Sequence, residues 1–176
     1  MPTLHTSTYT AWKKVPDPSS EKDPVIAGYR DQARTICVGV HAIISRCLEE
    51  NASVIIDGVH LLPDFLDLKG YGKSAFIVPL CIGITDPEDY GRRFGRRADQ
   101  APARPKHRYL AHLDEIFKIQ DHIIECYSAC GLPVISNTSS EGITSEAAMV
   151  VSEQLQDQDE IRAALGEEIK KKNKDS

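Results

Sequence analysis

Arginine is concentrated in one stretch of this sequence, residues 91–108. The stretch holds seven basic side chains against one acid, although the whole chain has a formal net charge of −5. Guanidinium groups bind phosphate oxygens bidentately, and crowded arginines repel one another unless an anion neutralises them. We therefore predict an anion site on a lid that glycines and prolines allow to move, with a solvated basic face as the alternative. The candidate ligands of the anion are Arg92, Arg93, Arg96, Arg97 and Arg108.

An acidic residue, Asp57, ends a short apolar run over residues 53–57, and Gly58, Val59 and His60 follow it. We interpret the run as a strand buried on both faces of a parallel sheet. Ligands bind at the carboxyl ends of such strands, where an aspartate can hold Mg²⁺ directly or through water. Capping of the next turn is the alternative role of Asp57.

Other kinds of chemistry are weakly supported or excluded. The 176 residues contain no G-x-x-x-x-G-K-[ST] phosphate loop; the nearest stretch, residues 70–74, has Asp67 where the first glycine belongs. The six histidines show no metal-ligand spacing, and five cysteines without a framework pattern favour reduced thiols in the cytoplasm. Residues 1–14 lack the basic start and apolar core of a secretory signal, and no apolar stretch approaches the roughly 20 residues that cross a membrane, so we expect neither a signal nor a membrane span. The chain's net charge of −5 argues against binding to nucleic acid.

The elements that must position these residues alternate between helix and short apolar strand, which is typical of an α/β fold with a parallel sheet. One helix is predicted from Pro24, behind the N-cap Asp23, to about Glu50. A further helix begins near Asp86, and another spans residues 108–130 and ends at Gly131. Short strands are predicted at residues 53–57, 80–84 and 133–136, and a last core helix at residues 143–155. The predicted organisation is an extended N-terminal arm (1–22), an α/β domain (23–155) and a charged C-terminal tail (156–176), either a solvated helix or frayed.

Several segments together resemble the 2-phosphoglycerate kinase family. The resemblance runs from about Leu4 to Asn137, and its most specific parts are the first segment and the one around Asp57. The family usually has glutamate at the position of Asp57. The segments are Leu4-His5-Thr6-Ser7-Thr8-Tyr9-Thr10-Ala11-Trp12, Gly28-Tyr29 with Gln32, Ile55-Ile56-Asp57-Gly58-Val59-His60-Leu61, Arg93-Phe94 with Arg97, Tyr109 before Ile119-Gln120, and Leu132-Pro133-Val134-Ile135-Ser136-Asn137.

The resemblance implies a three-layer P-loop kinase fold and phosphorylation of 2-phosphoglycerate with ATP and Mg²⁺. Asp57 would then be the acid on the metal side, and His60 a group on the substrate side or behind it. Arg93 and Arg97 would contact phosphates from the lid, with Arg92, Arg96 and Arg108 nearby. The hydroxyls of Thr6, Ser7 and Tyr9 would line the acceptor side, with a plain surface arm as the alternative.

The family's P-loop lies upstream of the segment that begins at Leu4, so we expect its first strand, P-loop and helix to be missing from these 176 residues. Kinase activity of the chain alone is then expected to be weak or absent. A homo-oligomer or a complementing chain could cover the sheet edge that this leaves bare. The alternative function is a non-catalytic module that binds a phosphorylated metabolite or a partner protein through the arginine stretch.

Overall fold

The computed structural model describes residues 2–14, 23–72, 74–84, 110–137 and 140–172. Its α-helices are α1 (Pro24–Glu49), α2 (Leu68–Tyr71), α3 (Leu113–Ala129) and α4 (Ser140–Lys172). Its strands are β1 (Cys81–Gly83) and β2 (Val134–Ser136), and 3₁₀ helices lie at Pro2–His5, Thr8–Lys14 and Pro63–Phe65. The structure is thus helix-rich α/β, and no helix in these ranges is long and apolar enough to cross a membrane.

Helix α1 begins and ends where its sequence predicts. The Asp23 carboxylate accepts a hydrogen bond from the Val25 N–H (2.8 Å), and Pro24 occupies the first turn, where its missing N–H costs nothing. The helix stops at Glu49, and Asn51 then takes the left-handed conformation with φ 51°. One face of α1 carries Tyr29, Ala33 and Cys37 into the core, where Leu62 and Ile119 pack against the first two.

The two described strands form a parallel pair in which Cys81 is opposite Val134 and Gly83 is opposite Ser136. Both were predicted, with one more residue at each end of β1 and one at the start of β2. Helix α3 follows the prediction too, except that it begins at Leu113, and Gly131 ends it with φ 67°. The three-layer P-loop kinase fold remains a prediction, because the described ranges hold only this two-stranded sheet.

The predicted strand at residues 53–57 is wrong. Residues 52–58 have no regular structure, and the side chain of Ile55 is 97% exposed. A strand needs a neighbour that bonds its N–H and C=O groups, and in the described ranges β1 and β2 pair only with each other. An apolar composition is therefore not enough to make this run a strand.

One other prediction needs correction. The N-terminal segment (residues 2–14) is not extended but forms two 3₁₀ helices, in which the carbonyl of Ser7 accepts bonds from both the N–H and the hydroxyl of Thr10. Local bonding by hydroxyl side chains favours such tight turns. The predicted last helix and the charged tail form one helix, α4, which continues to Lys172, so the helical alternative for the tail is confirmed over the described residues. The division into arm, domain and tail stays a prediction.

Side-chain amides take the place of strand neighbours at two points beside the sheet. Gln120 of α3 accepts from the N–H of Ile84 and donates to its carbonyl, both at 2.9 Å. Gln158 of α4 does the same for Ile77, at 3.0 and 2.7 Å. Each amide presents an N–H donor beside a carbonyl acceptor, as a peptide group does, so both residues satisfy backbone groups that no strand of the described ranges pairs.

Candidate functional site

The loop that follows Asp57 is held by side chains from two helices. The Tyr29 hydroxyl donates to the carbonyl of Val59 (2.7 Å), and the Cys37 thiol donates to the carbonyl of His60 (3.3 Å). From α3, the Tyr127 hydroxyl donates to the carbonyl of Leu61 (3.0 Å). Three consecutive carbonyls are thus fixed, and the position of the His60 backbone is fixed with them.

Burial keeps these donors in the protonated state. It raises the pKa of Tyr127 to about 12, and it raises the pKa of Tyr29 and of the Cys37 thiol as well. A deprotonated oxygen or sulfur could not donate to a carbonyl, so the shifts and the hydrogen bonds agree. The loop is therefore anchored throughout the ordinary pH range.

The His60 ring lies between the N-terminal segment and α1. Its Nε2 is 3.3 Å from the Thr8 hydroxyl and 3.3 Å from Oε1 of Gln32. The Tyr29 ring stacks on it, with centroids 5.9 Å apart and planes 24° apart. Burial lowers the pKa of the imidazole below its ordinary 6.5, so the ring is neutral at neutral pH.

The N-terminal segment docks on α1 near this ring. Gln32 donates from Nε2 to the carbonyl of Thr6 (3.1 Å). The backbone of Ala11 and Trp12 packs directly over Gly28, where a Cβ would come within 2.8 Å of the Ala11 carbonyl carbon. The Tyr9 ring stacks on His112, with centroids 4.8 Å apart. The segment therefore reaches both helices and lies beside His60.

The structure brings some of the predicted acceptor-side residues together and leaves others apart. Thr6 meets the His60 site through its carbonyl and Gln32. The backbone carbonyl of Ser7 accepts from the Thr10 hydroxyl inside the same segment, and the Tyr9 ring stacks on His112. The prediction for these three hydroxyls is not tested by these contacts, although the segment that carries them is in place.

Asp57 stands three residues before His60 and is exposed. The described ranges contain no group of three His, Cys, Asp or Glu side chains placed to hold a metal ion. Mg²⁺ often takes only one or two carboxylates and completes its shell with water and phosphate oxygens. A single exposed carboxylate fits such an ion, and Asp57 stays the predicted ligand.

The predicted anion ligands Arg92, Arg93, Arg96, Arg97 and Arg108 lie outside the described residues. A different arginine, Arg30 of α1, is held among described groups. It pairs with Asp64 (2.9 Å) and contacts Nε2 of His122 (3.2 Å), and its guanidinium lies over the Phe65 ring. These contacts explain Arg30 as a structural group that ties α1, the loop and α3 together.

Sequence reasoning missed Gln32 and Thr8 as partners of His60. Gln32 falls on the buried face of α1, between Tyr29 and Ala33, and is 3% exposed. A glutamine inside an apolar helical face was the available signal, because a buried amide must find hydrogen-bond partners. Thr8 gave no such signal, since its contact crosses 52 residues of sequence.

Comparison with known proteins gives relatives named 2-phosphoglycerate kinase. The chain is 36% identical to the 2-phosphoglycerate kinase of Pyrococcus horikoshii over 146 residues, which cover 83% of this chain and 46% of that protein. It is 32% identical to those of Methanocaldococcus jannaschii and Methanopyrus kandleri, over 96% and 88% of this chain and 53% and 47% of theirs. No family model and no solved structure matches it.

The alignments cover most of this sequence but only part of each relative. This chain spans about half the length of the curated relatives that it matches. The chain is therefore a homologue of the 2-phosphoglycerate kinase family over most of its own length.

Proposed function

We propose that the chain carries the acceptor side of a phosphotransferase of the 2-phosphoglycerate kinase type. In that reaction the terminal phosphoryl group of ATP is transferred to a hydroxyl of the acceptor. The supporting observation is that the segment around Thr8 docks on His60, although 52 residues separate them. These are the two most specific segments of the resemblance, and their contact gives them one site.

The roles follow from the positions. His60, neutral and fixed on one side by Thr8 and Gln32, faces the acceptor. The hydroxyls of Thr6, Ser7 and Tyr9 contribute from the N-terminal segment. Asp57 would hold Mg²⁺, and the ion would neutralise phosphate charge. Arg93 and Arg97 bind phosphate oxygens bidentately, with Arg92, Arg96 and Arg108 in support.

Binding and turnover can be measured separately. The 176 residues contain no G-x-x-x-x-G-K-[ST] loop, so we propose that they bind 2-phosphoglycerate and transfer phosphate from ATP weakly or not at all. Titration calorimetry with 2-phosphoglycerate is expected to give saturable binding, with 3-phosphoglycerate as the isomer control. Robust product formation with ATP and Mg²⁺ would contradict the weak-activity part, and absence of any 2-phosphoglycerate binding would contradict the acceptor-side part.

The second candidate is a non-catalytic module that binds a phosphorylated metabolite or a partner protein. The seven basic side chains at residues 91–108 favour it. The double variant Arg93→Glu with Arg97→Glu would abolish binding under either function, so His60→Ala is the deciding variant. Binding of 2-phosphoglycerate that depends on the arginines but is unaffected by His60→Ala would favour the module.

A cytoplasmic location is part of the proposal. All five cysteines are free thiols, and Cys37 uses its thiol as a hydrogen-bond donor. Such thiols suit a reducing compartment. A homo-oligomer or a complementing chain at the exposed apolar run around Ile55 also remains proposed, and sedimentation of the purified chain would test it.

A further inference from the structure

Gln32 is the only polar or charged residue among the described ones that is buried, with 3% exposed. Its side chain reaches two segments at once: Nε2 donates to the Thr6 carbonyl at 3.1 Å, and Oε1 lies 3.3 Å from Nε2 of His60. Burying an amide is costly unless its bonds are made, so this position requires both partners.

The contact with Thr6 fixes which way round the amide lies. If the amide were turned over, its oxygen would face the Thr6 carbonyl oxygen, and two acceptors would meet at about 3.1 Å. The amide oxygen must therefore face His60. Because an amide oxygen only accepts, the ring nitrogen opposite it must carry the hydrogen.

A protonated Nε2 leaves Nδ1 of the neutral ring with its lone pair. In the described part of the chain, no group forms a hydrogen bond with Nδ1. With the hydrogen on Nε2, the Thr8 hydroxyl 3.3 Å away can only accept from that nitrogen, and the stacked Tyr29 ring limits rotation of the imidazole. The surroundings thus define the tautomer and the plane of the ring together.

We propose that Gln32 is a positioning residue that holds His60 with its proton on Nε2, so that Nδ1 accepts a hydrogen bond from a hydroxyl of the ligand. The identity of that ligand, a phosphorylated hydroxy acid, rests on the proposed function. The tautomer does not rest on it, because the contacts that set it lie within the chain.

The direct test is ¹⁵N NMR of the histidine side chains in the full chain, without ligand, above pH 7.5. The expected result is the Nε2–H tautomer of His60 in the wild type and a mixture of tautomers in Gln32→Met, whose side chain is similar in shape but has no donor and only a weakly accepting sulfur. Gln156→Met, on an exposed position of α4, is the matched control and keeps the wild-type signals. An Nδ1–H tautomer in the wild type, or a pure Nε2–H tautomer in Gln32→Met, would overturn the proposal.

Thr8→Val separates the two contacts of Nε2 and decides the matter if Gln32→Met does not fold. Gln32 is intact in Thr8→Val, so the Nε2–H tautomer is expected to persist. Loss of the Nε2–H tautomer in Thr8→Val would show that Thr8 determines the tautomer, and it would overturn the role of Gln32.

Binding of 2-phosphoglycerate is the second readout, expected to be about tenfold weaker in Gln32→Met and unchanged in Gln156→Met. If the wild-type chain does not bind 2-phosphoglycerate but shows the expected tautomers, the proposed function fails and the positioning by Gln32 stands. If the chain binds it and the tautomers are wrong, only the positioning fails.

Discussion

The hydroxyl of Tyr29 donates a 2.7 Å hydrogen bond to the backbone carbonyl of Val59, thirty residues further along the chain. Tyr29 is fully buried, whereas the Val59 side chain is 57% exposed. At Val59 the helix therefore holds the loop by its backbone and not by the side chain. The loop leads into His60, so the same bond helps to place the imidazole.

Removing that hydroxyl should loosen the loop. We expect Tyr29→Phe to lower the free energy of unfolding by about 1 kcal/mol, the typical net contribution of one hydrogen bond. Tyr127→Phe, which removes the bond to Leu61, should cost a similar amount. Urea denaturation followed by circular dichroism measures both. Unchanged midpoints in the two variants would mean that the loop does not depend on these hydroxyls.

The docking of the N-terminal segment can be tested at Gly28. A methyl group there would collide with the backbone of Ala11 and Trp12, so Gly28→Ala should displace the segment. Trp12 is the one tryptophan of the chain, and its indole nitrogen is buried without a partner in the described ranges. Its fluorescence emission is expected to shift to the red in Gly28→Ala.

Gly39→Ala is the matched control on the same helix. A methyl group at Gly39 meets nothing within 4 Å, so this variant should leave the Trp12 emission unchanged. It should also stabilise α1 by about 0.5–1 kcal/mol, because alanine favours a helix interior over glycine. Equal emission shifts in the two variants would argue against contact between Gly28 and the segment.

The burial of His60 predicts a pH dependence of stability. Because the folded pKa lies below the unfolded value of 6.5, the unfolded chain binds more protons in the interval between them. The contribution of a neutral His60 is fully present above about pH 6.5 and is lost as the pH falls from there towards the folded pKa. As the pH is lowered from 8 to 5, the urea midpoint should fall more steeply in the wild type than in His60→Gln. Parallel curves would contradict the shift.

Asp23 has two roles that substitutions can separate. Its Oδ1 caps α1, and its Oδ2 pairs with Nζ of Lys118 at 2.8 Å; the hydrogen bond from Lys118 is the main cause that lowers the pKa of Asp23. We expect Asp23→Ala to cost about 1 kcal/mol through the lost cap. Asp23→Asn keeps a capping oxygen and should cost less.

The ion pair between Asp23 and Lys118 should contribute mainly to the pH dependence of the free energy of unfolding. Since the folded pKa of Asp23 is depressed, its contribution is present above the unfolded value of 3.8 and is lost as the pH falls through the folded pKa. Lys118→Met should weaken this acid dependence with little effect at pH 7, because the pair lies at the surface. A large loss at pH 7 in Lys118→Met would show that the pair, and not the cap, stabilises α1.

The elements that the sequence predicts well are those with local signals. Asp23 and Pro24 mark the start of α1, and Gly131 marks the end of α3; each acts within one or two turns of chain. The error at residues 53–57 has the opposite cause. Whether an apolar run is a strand depends on a partner elsewhere, and an exposed fraction of 97% at Ile55 is decided by tertiary structure.

The candidate site was predictable in part for the same reason. His60 was found because it follows Asp57 in a recognisable segment. Its partners Thr8 and Gln32 are 52 and 28 residues away, and no spacing rule joins them. The arginines of the predicted lid lie outside the described residues, so their place in the site stays a prediction.

The three carbonyls of the His60 loop have a consequence for how this protein can evolve. At Val59 and Leu61 the helices bind the backbone carbonyl, and every amino acid has that group. Mutations at these loop positions can therefore accumulate without changing the loop's path. The path of the loop depends instead on Tyr29 and Tyr127, because replacing either residue removes the hydroxyl that donates. Selection for the shape of the loop therefore acts on residues of two helices that lie far from the loop in sequence.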